Sequence, residues 1–193
     1  FEPVLTLANI ENLAHGAGIT PRTMYELAEM GVDVMTGGNH MWDKPAYMDV
    51  FADKKLSRRI IRPLNDVGVK PGSGMLQLEK DGRRFVVLNV MGQAFFKNAY
   101  PSPFDALDRA LEETQPDDII LLDVHAETTS EKALLGRYAD GRASAVWGSH
   151  THVPTADERI LPGGTAFITD VGLTGAHNES IGIEYEKALT RVK

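Results

Sequence analysis

Ala143-Ser144-Ala145-Val146-Trp147-Gly148-Ser149-His150-Thr151-His152 is an apolar, strand-like run that ends in two histidines. Three other stretches share this form. Val4–Ala8 leads into Asn9-Ile10-Glu11-Asn12, Val32–Met35 into Gly37-Gly38-Asn39-His40, and Ile119–Leu122 into Asp123-Val124-His125-Ala126-Glu127. Strand ends that converge on one edge of a sheet are where open α/β folds place their active sites. Imidazole, carboxylate and amide oxygen gathered there suit borderline divalent metals such as manganese, iron or zinc. Histidines at i and i+2 of an extended segment point the same way, so His150 and His152 are expected to serve one metal cluster. The bland alternative is a pair of surface histidines.

Helix-like segments alternate with these strands. Pro3–Ile10 reads as a buried strand. Thr20-Pro21 is a capping hydroxyl followed by proline at the first helical position. The helix it starts carries an apolar side of Met24, Leu27, Ala28 and Met30, and Gly31 is placed to end it. Val32–Thr36 is the next strand, Pro45–Phe51 a short helix, and Ser57–Asn65 has no clear pattern. Leu76–Leu78 and Phe85–Val90 flank Asp81-Gly82, a hairpin signal. Ser102-Pro103 starts a helix to about Glu113. Asp118–Asp123 is a strand, Ser130–Tyr138 a helix and Ala143–Trp147 a strand. Glu158–Leu161 and Thr165–Thr169 form a second hairpin around Pro162-Gly163-Gly164, and the tail from Glu184 is helical in character. The alternation predicts one α/β domain over residues 1–193 with a mixed sheet.

Bulk properties narrow the function classes. A chain of 193 residues, 42% hydrophobic and 24% charged, is large enough for a real core and ordinary for a globular protein. The absence of cysteine excludes disulfides, thiolate metal sites and cysteine nucleophiles, and it fits a reducing cytoplasm. No apolar run approaches the roughly 20 residues a membrane helix needs, and no signal-peptide pattern opens the chain. A cytoplasmic location without membrane contact is therefore the expectation. The net charge of −7 argues against long nucleic acid as a partner. It does not argue against a small phosphate substrate, because bound cations reverse the local sign.

The remaining chemistry-bearing residues divide between site and scaffold. Gly37-Gly38 let the backbone turn tightly and leave Asn39 and His40 at a strand tip. Asp123 and Glu127, beside His125, read as groups that orient metal-bound imidazoles, or as surface carboxylates, rather than as ligands. His15 reads as an exposed loop residue lining the cleft, and His177 is given no role. Asp170 either supports the site or caps a turn. Trp42, Met41 and Phe96 have the chemistry to stack a base, with core packing as the safer reading.

Taken together, Asn39-His40 with a carboxylate at Asp43, the strand end at His125, and Gly148-x-His150-Thr151-His152 resemble the signature of calcineurin-like metallophosphoesterases. The fuller spelling is similar to the bacterial YmdB-like subfamily. It comprises Ile10-Glu11-Asn12 through Gly18-Ile19-Thr20, Gly37–Asp43, Asp123–Lys132, Gly148–Asp157 and Ile160–Thr174. The resemblance covers nearly the whole chain. It implies a four-layer α/β/β/α sandwich and hydrolysis of cyclic nucleotides, typically 2′,3′-cyclic phosphates, at a centre of two divalent ions.

Carried over by position, the resemblance makes Glu11 the carboxylate shared by both metals, a role most of the superfamily gives to aspartate. Asn39, His125 and His150 then complete one shell, and Asn12 and His152 belong to the other. His40 stands over the phosphate as proton donor or charge stabiliser. Imidazole suits that task because it titrates near neutral pH as a class. Relatives begin with a strand ending in Gly-Asp, whose aspartate ligates the metal assigned to His152. This chain starts just before their second strand. The domain is therefore expected to lack its first βα unit and a closing segment after the last helix, and to bind the metal of Glu11, Asn39, His125 and His150 better than the other. Two further readings stay open: a phosphomonoesterase or 5′-nucleotidase on the same metal core, and a regulatory protein that keeps the fold without turnover. Apolar residues in the hairpin segments are compatible with a homo-oligomer.

Overall fold

A computed structural model describes residues 2–175 and 179–192. His177 lies outside them. The described residues build two sheets. The first is parallel, in the order β1 (Leu7–Asn9), β2 (Val34–Thr36) and β3 (Ile60–Ile61). Its crossovers carry α1 (Pro21–Glu29), α2 (Tyr47–Ala52) and α3 (Lys54–Ser57). The second sheet comprises β4 (Met75–Lys80), β5 (Arg83–Met91), β6 (Ile119–His125), β7 (Ala145–Ser149), β8 (Arg159–Ile160) and β9 (Ala166–Ile168). Its spatial order is β4-β5-β6-β7-β9-β8, with antiparallel pairs at both ends and parallel pairs between. Helices α4 (Pro103–Leu111) and α5 (Thr129–Tyr138) cross over between β5, β6 and β7, and α6 (Tyr185–Val192) follows.

Local chemistry explains most of these elements. The Thr20 side chain accepts a hydrogen bond from the Thr23 amide at the head of α1, and Ser102 does the same for Asp105 in α4. Gly31 takes a left-handed φ of +92° just past α1. Asp81 and Gly82 both have positive φ, +51° and +70°, as a two-residue primed turn between β4 and β5 requires. The indistinct stretch Ser57–Asn65 holds the end of α3 and the two residues of β3. The Pro3–Ile10 strand shrinks to Leu7–Asn9, because only those residues find a ladder partner in β2.

Three apolar clusters mark the layer interfaces of an α/β/β/α sandwich. Met24, Val50 and Leu56 of the first helices pack on Met35 and Ile60 of the first sheet. Val34 and Ile61 meet Val87, Leu76, Leu78 and Leu121 between the sheets. Leu107 and Ala110 of α4, Leu135 of α5 and Ala139 at its C-cap cover Val86, Leu88, Leu122 and Val146. Strand β5 touches both faces of the sandwich and is buried from Phe85 through Met91, which explains its unbroken apolar spelling. Among the described residues, the second sheet contributes to this inter-sheet cluster from β4, β5 and β6. Over β7, β9 and β8 an apolar hollow of about 550 Å³ remains, lined by Ala145, Trp147, Ile160, Ala166 and Ile168. Among the described residues no helix is long and apolar enough to cross a membrane.

Candidate metal centre

The parallel strands β1, β2, β6 and β7 all deliver their carboxyl ends to one edge of the sandwich, where parallel crossovers leave the loops free for chemistry. Asn9 at the tip of β1 donates from Nδ2 to Gly37 O (2.8 Å) and accepts from the Glu11 amide (3.2 Å), tying the β1 tip to the β2 tip. Glu11 lies at the centre. Its Oε2 accepts the His40 amide at 3.2 Å and pairs with His125 Nε2 at 3.0 Å. Its Oε1 accepts Asn12 Nδ2 at 3.2 Å and lies 3.9 Å from His150 Nδ1. Burial alone would raise the Glu11 pKa, but the attraction of His125 and these hydrogen bonds hold it down to about 2. The carboxylate is thus ionised inside a dry cluster.

His125 is buried at the end of β6, with Nε2 also 3.0 Å from Asn39 Oδ1. Its Nδ1 lies 3.0 Å from Ser149 Oγ, which donates to Asp123 Oδ1 at 2.6 Å. Thr36 Oγ1 and Asn9 Nδ2 donate to the other Asp123 oxygen. Burial pushes the Asp123 carboxyl above its ordinary range against these interactions. Asp123 therefore supports His125 through Ser149 rather than facing the centre, as expected of it.

His150 and His152 do not continue the strand. β7 ends at Ser149, and both histidines adopt left-handed backbone, with φ of +94° and +65°. The two-residue alternation of a strand cannot be what brings them together; the turn does. His150 Nδ1 faces Glu11, while its Nε2 lies 2.8 Å from Glu127 Oε2. Burial and the neighbouring His125 push His150 below the ordinary imidazole range, favouring the neutral, ligand-competent ring. His152 Nε2 accepts from Asn12 Nδ2 (3.2 Å), and its Nδ1 donates to Ile181 O (3.2 Å).

The donor set fits divalent metal. One ligand atom each from Glu11, His125 and His150 falls within 4.8 Å of the others. Asn12 Oδ1 and His150 Nδ1 are buried without a hydrogen-bond partner among the described residues, a cost that a cation would relieve. Gly38 reports on the same crowding. A Cβ there would stand 2.5 Å from Glu11 Oε2 and from His125 Cε1 and Nε2. A turn does begin at Gly38, closed by Met41 N on Gly38 O, but its φ is not positive, so glycine is required there by close approach of the cluster rather than by backbone conformation.

His40 stands at the rim, with its side chain 46% exposed and Nδ1 2.7 Å from Asp43 Oδ2. Asp170 is buried and pairs with buried Lys132 at 2.5 Å; it also accepts from Thr151 Oγ1 at 2.8 Å and from the Gly172 amide at 2.7 Å. It therefore braces the segment that carries both histidines. Met41 is a core residue, and Trp42 stacks on Phe51 and donates to Asp66. Phe96 departs from the core-packing reading: its ring centroid lies 5.0 Å from that of His150 and 6.3 Å from that of His125. His15 is exposed. Asn9 and Ser149 are the participants that sequence reasoning leaves without a role. Asn9 and Ser149 enter it only as flanks of ligand residues, and nothing in the Phe96 segment signals where that loop folds.

A family model described as "YmdB-like protein" matches residues 1–193. The chain is 42% identical over 194 residues to the 2′,3′-cyclic-nucleotide 2′-phosphodiesterase of Bacillus subtilis (strain 168), covering 100% of this chain and 72% of that protein. A crystal structure of a hypothetical protein from Thermus thermophilus superposes with a TM-score of 0.91 at 45% identity, covering 98% of this chain and 73% of that one. A 5′-nucleotidase precursor from the same organism shares the fold, with a TM-score of 0.54 at 12% identity, over 88% of this chain and 43% of its own.

Proposed function

The chain belongs to the YmdB-like family of calcineurin-like metallophosphoesterases, and from that premise we propose that it hydrolyses cyclic nucleotides of the 2′,3′-cyclic phosphate type. The observation that carries this reading is the buried Glu11–His125–His150 cluster, with unpartnered donor atoms at its edge and the His40–Asp43 pair beside it. Glu11, Asn39, His125 and His150 would hold one divalent ion, and Glu11, Asn12 and His152 the other. Glu11 Oε2 faces His125, and Oε1 faces both Asn12 and His150, so the carboxylate adjoins both groups. Bound there, iron, manganese or zinc supplies Lewis acidity toward the phosphate and lowers the pKa of water.

The protein's own groups do the rest. Asp43 engages His40 Nδ1, so the Nε2 position of His40 is left for the substrate. In the reaction the oxygen of water forms a bond to phosphorus and releases one proton to solvent, while the bond from phosphorus to one ribose oxygen breaks. His40, protonated at both ring nitrogens, gives its Nε2 proton to the departing ribose oxygen and regains one from solvent, and a nucleoside monophosphate is released. Arg22 pairs with Glu26 on the exposed surface of α1, and Lys44 donates to the carbonyl of Ala14. The enzyme works as one cytoplasmic domain on a small-molecule substrate.

The test is hydrolysis of 2′,3′-cyclic AMP by the purified chain in Mn²⁺ and in EDTA, with the product isomer identified. Metal-dependent turnover to a single isomer is expected. Equal rates with and without chelator, or turnover of p-nitrophenyl phosphate but not of the cyclic diester, would overturn the proposal.

A further inference from the structure

Glu127 follows β6 by two residues and precedes Thr128, the N-cap of α5. It reaches across to a histidine on a different strand end, with Oε2 2.8 Å from His150 Nε2. A carboxylate has lone pairs and no hydrogen to give, so this contact requires the proton of a neutral His150 ring to sit on Nε2. The lone pair then sits on Nδ1, the buried nitrogen that has no hydrogen-bond partner among the described residues and faces Glu11 Oε1 at 3.9 Å. The ring is held from two further sides, by His125 at 4.8 Å between centroids and by Phe96 at 5.0 Å. Its backbone has a left-handed φ of +94°, uncommon for a residue with a Cβ and retained only where surroundings over-determine it.

We propose that Glu127 is a positioning residue that locks His150 in the Nε2–H tautomer and turns Nδ1 toward the divalent cation. The purpose of the lock rests on the metal-centre reading above; the lock itself is a property of the metal-free protein. Exposed ion pairs contribute little as a rule. Here only the carboxylate end is exposed, at 49%, whereas the imidazole end is 18% exposed and fixed by aromatic neighbours. Outer carboxylates that orient metal-bound imidazoles typically change metal affinity by about 10- to 100-fold when removed.

The experiment compares wild type, Glu127→Ala and Glu127→Gln in two measurements. In the first, ¹⁵N-labelled metal-free protein is examined by long-range ¹H–¹⁵N correlation of the histidine rings, with His150 assigned by the loss of its signals in His150→Gln. Wild type should show the Nε2–H tautomer. Glu127→Gln should keep it, because the amide oxygen still accepts, and Glu127→Ala should relax to a mixture. In the second, Mn²⁺ is titrated calorimetrically. Glu127→Ala should bind about 10- to 100-fold more weakly and Glu127→Gln within a few-fold of wild type. A merely structural role would lower the melting temperature of metal-free Glu127→Ala without moving its tautomer. An unchanged His150 tautomer, or unchanged Mn²⁺ affinity, in Glu127→Ala overturns the proposal. Wild type that shows the tautomer lock but binds no Mn²⁺ would sink the metal-centre reading while leaving the lock intact.

Discussion

Gly38→Ala is the most incisive single perturbation of this centre. The added methyl would lie 2.5 Å from Glu11 Oε2 and from two atoms of the His125 ring. Glu11 is pinned by the His40 amide and Asn12, and His125 by Asn39 and Ser149, so neither is the free end of a flexible side chain. To recover ordinary van der Waals separation, the group has to retreat by about 1 Å. Misplacement of reacting groups by that amount costs on the order of 10²-fold in rate. The assay is steady-state hydrolysis of 2′,3′-cyclic AMP at saturating Mn²⁺, paired with thermal melts in EDTA. kcat should fall about 100-fold, and Mn²⁺ should raise the melting temperature less than in wild type. Gly68→Ala is the control: its Cβ meets nothing within 4 Å and its φ is not positive, so activity and melting should stay at wild-type values. Gly38→Ala retaining activity and Mn²⁺ stabilisation close to wild type would refute the crowding on which the centre is built.

Three further outcomes are expected. His40→Ala should lower kcat for the cyclic diester by roughly 10²- to 10⁴-fold, the usual yield of a positioned acid. Asp43→Asn should lower it less, both read at saturating substrate so that KM effects separate. Lys132→Met leaves Asp170 as an uncompensated carboxylate beneath the histidine-bearing segment, and should destabilise the fold by about 3–5 kcal/mol in urea melts. Asp157 is held well below the ordinary aspartate range: burial pushes its pKa up, but hydrogen bonds from Thr155, Thr169 and Arg159 outweigh it. A depressed carboxyl contributes stability that is present above its unfolded pKa near ~3.9 and is lost as pH falls below it. Wild type should therefore lose more stability than Asp157→Asn between neutral pH and the acid side of ~4, and parallel unfolding curves for the two would count against this assignment.

Elements governed by short-range chemistry are legible in the chain. The caps at Thr20 and Ser102, the glycine stop at Gly31 and the primed turn at Asp81-Gly82 each involve groups within a few residues of one another. Where sequence and structure differ, the deciding contact is distant. The first strand is short because its extent depends on pairing with β2, not on its own apolar run. Strand alternation would place the paired histidines on one face, yet the strand stops at Ser149 and left-handed backbone at both residues directs them. Gly38 reads in the sequence as a turn residue because glycine is permissive. It is required because Glu11 and His125, on strand ends of different sheets, close over it.

The alternation of strands and helices, and the strand ends that carry ligand-type side chains, follow from apolar periodicity and capping, which are encoded locally; the layer order is implied only by the family spelling. The family spelling lies in the chain in the same way. Which nitrogen of His150 faces inward, and that Glu127 holds the other, is settled only in the folded molecule. So are the relay from Asp123 through Ser149 to His125 and the place of Phe96 in the wall of the site. Those facts depend on how segments separated by dozens of residues meet at ångström distances, and no pattern of neighbours along the chain records that.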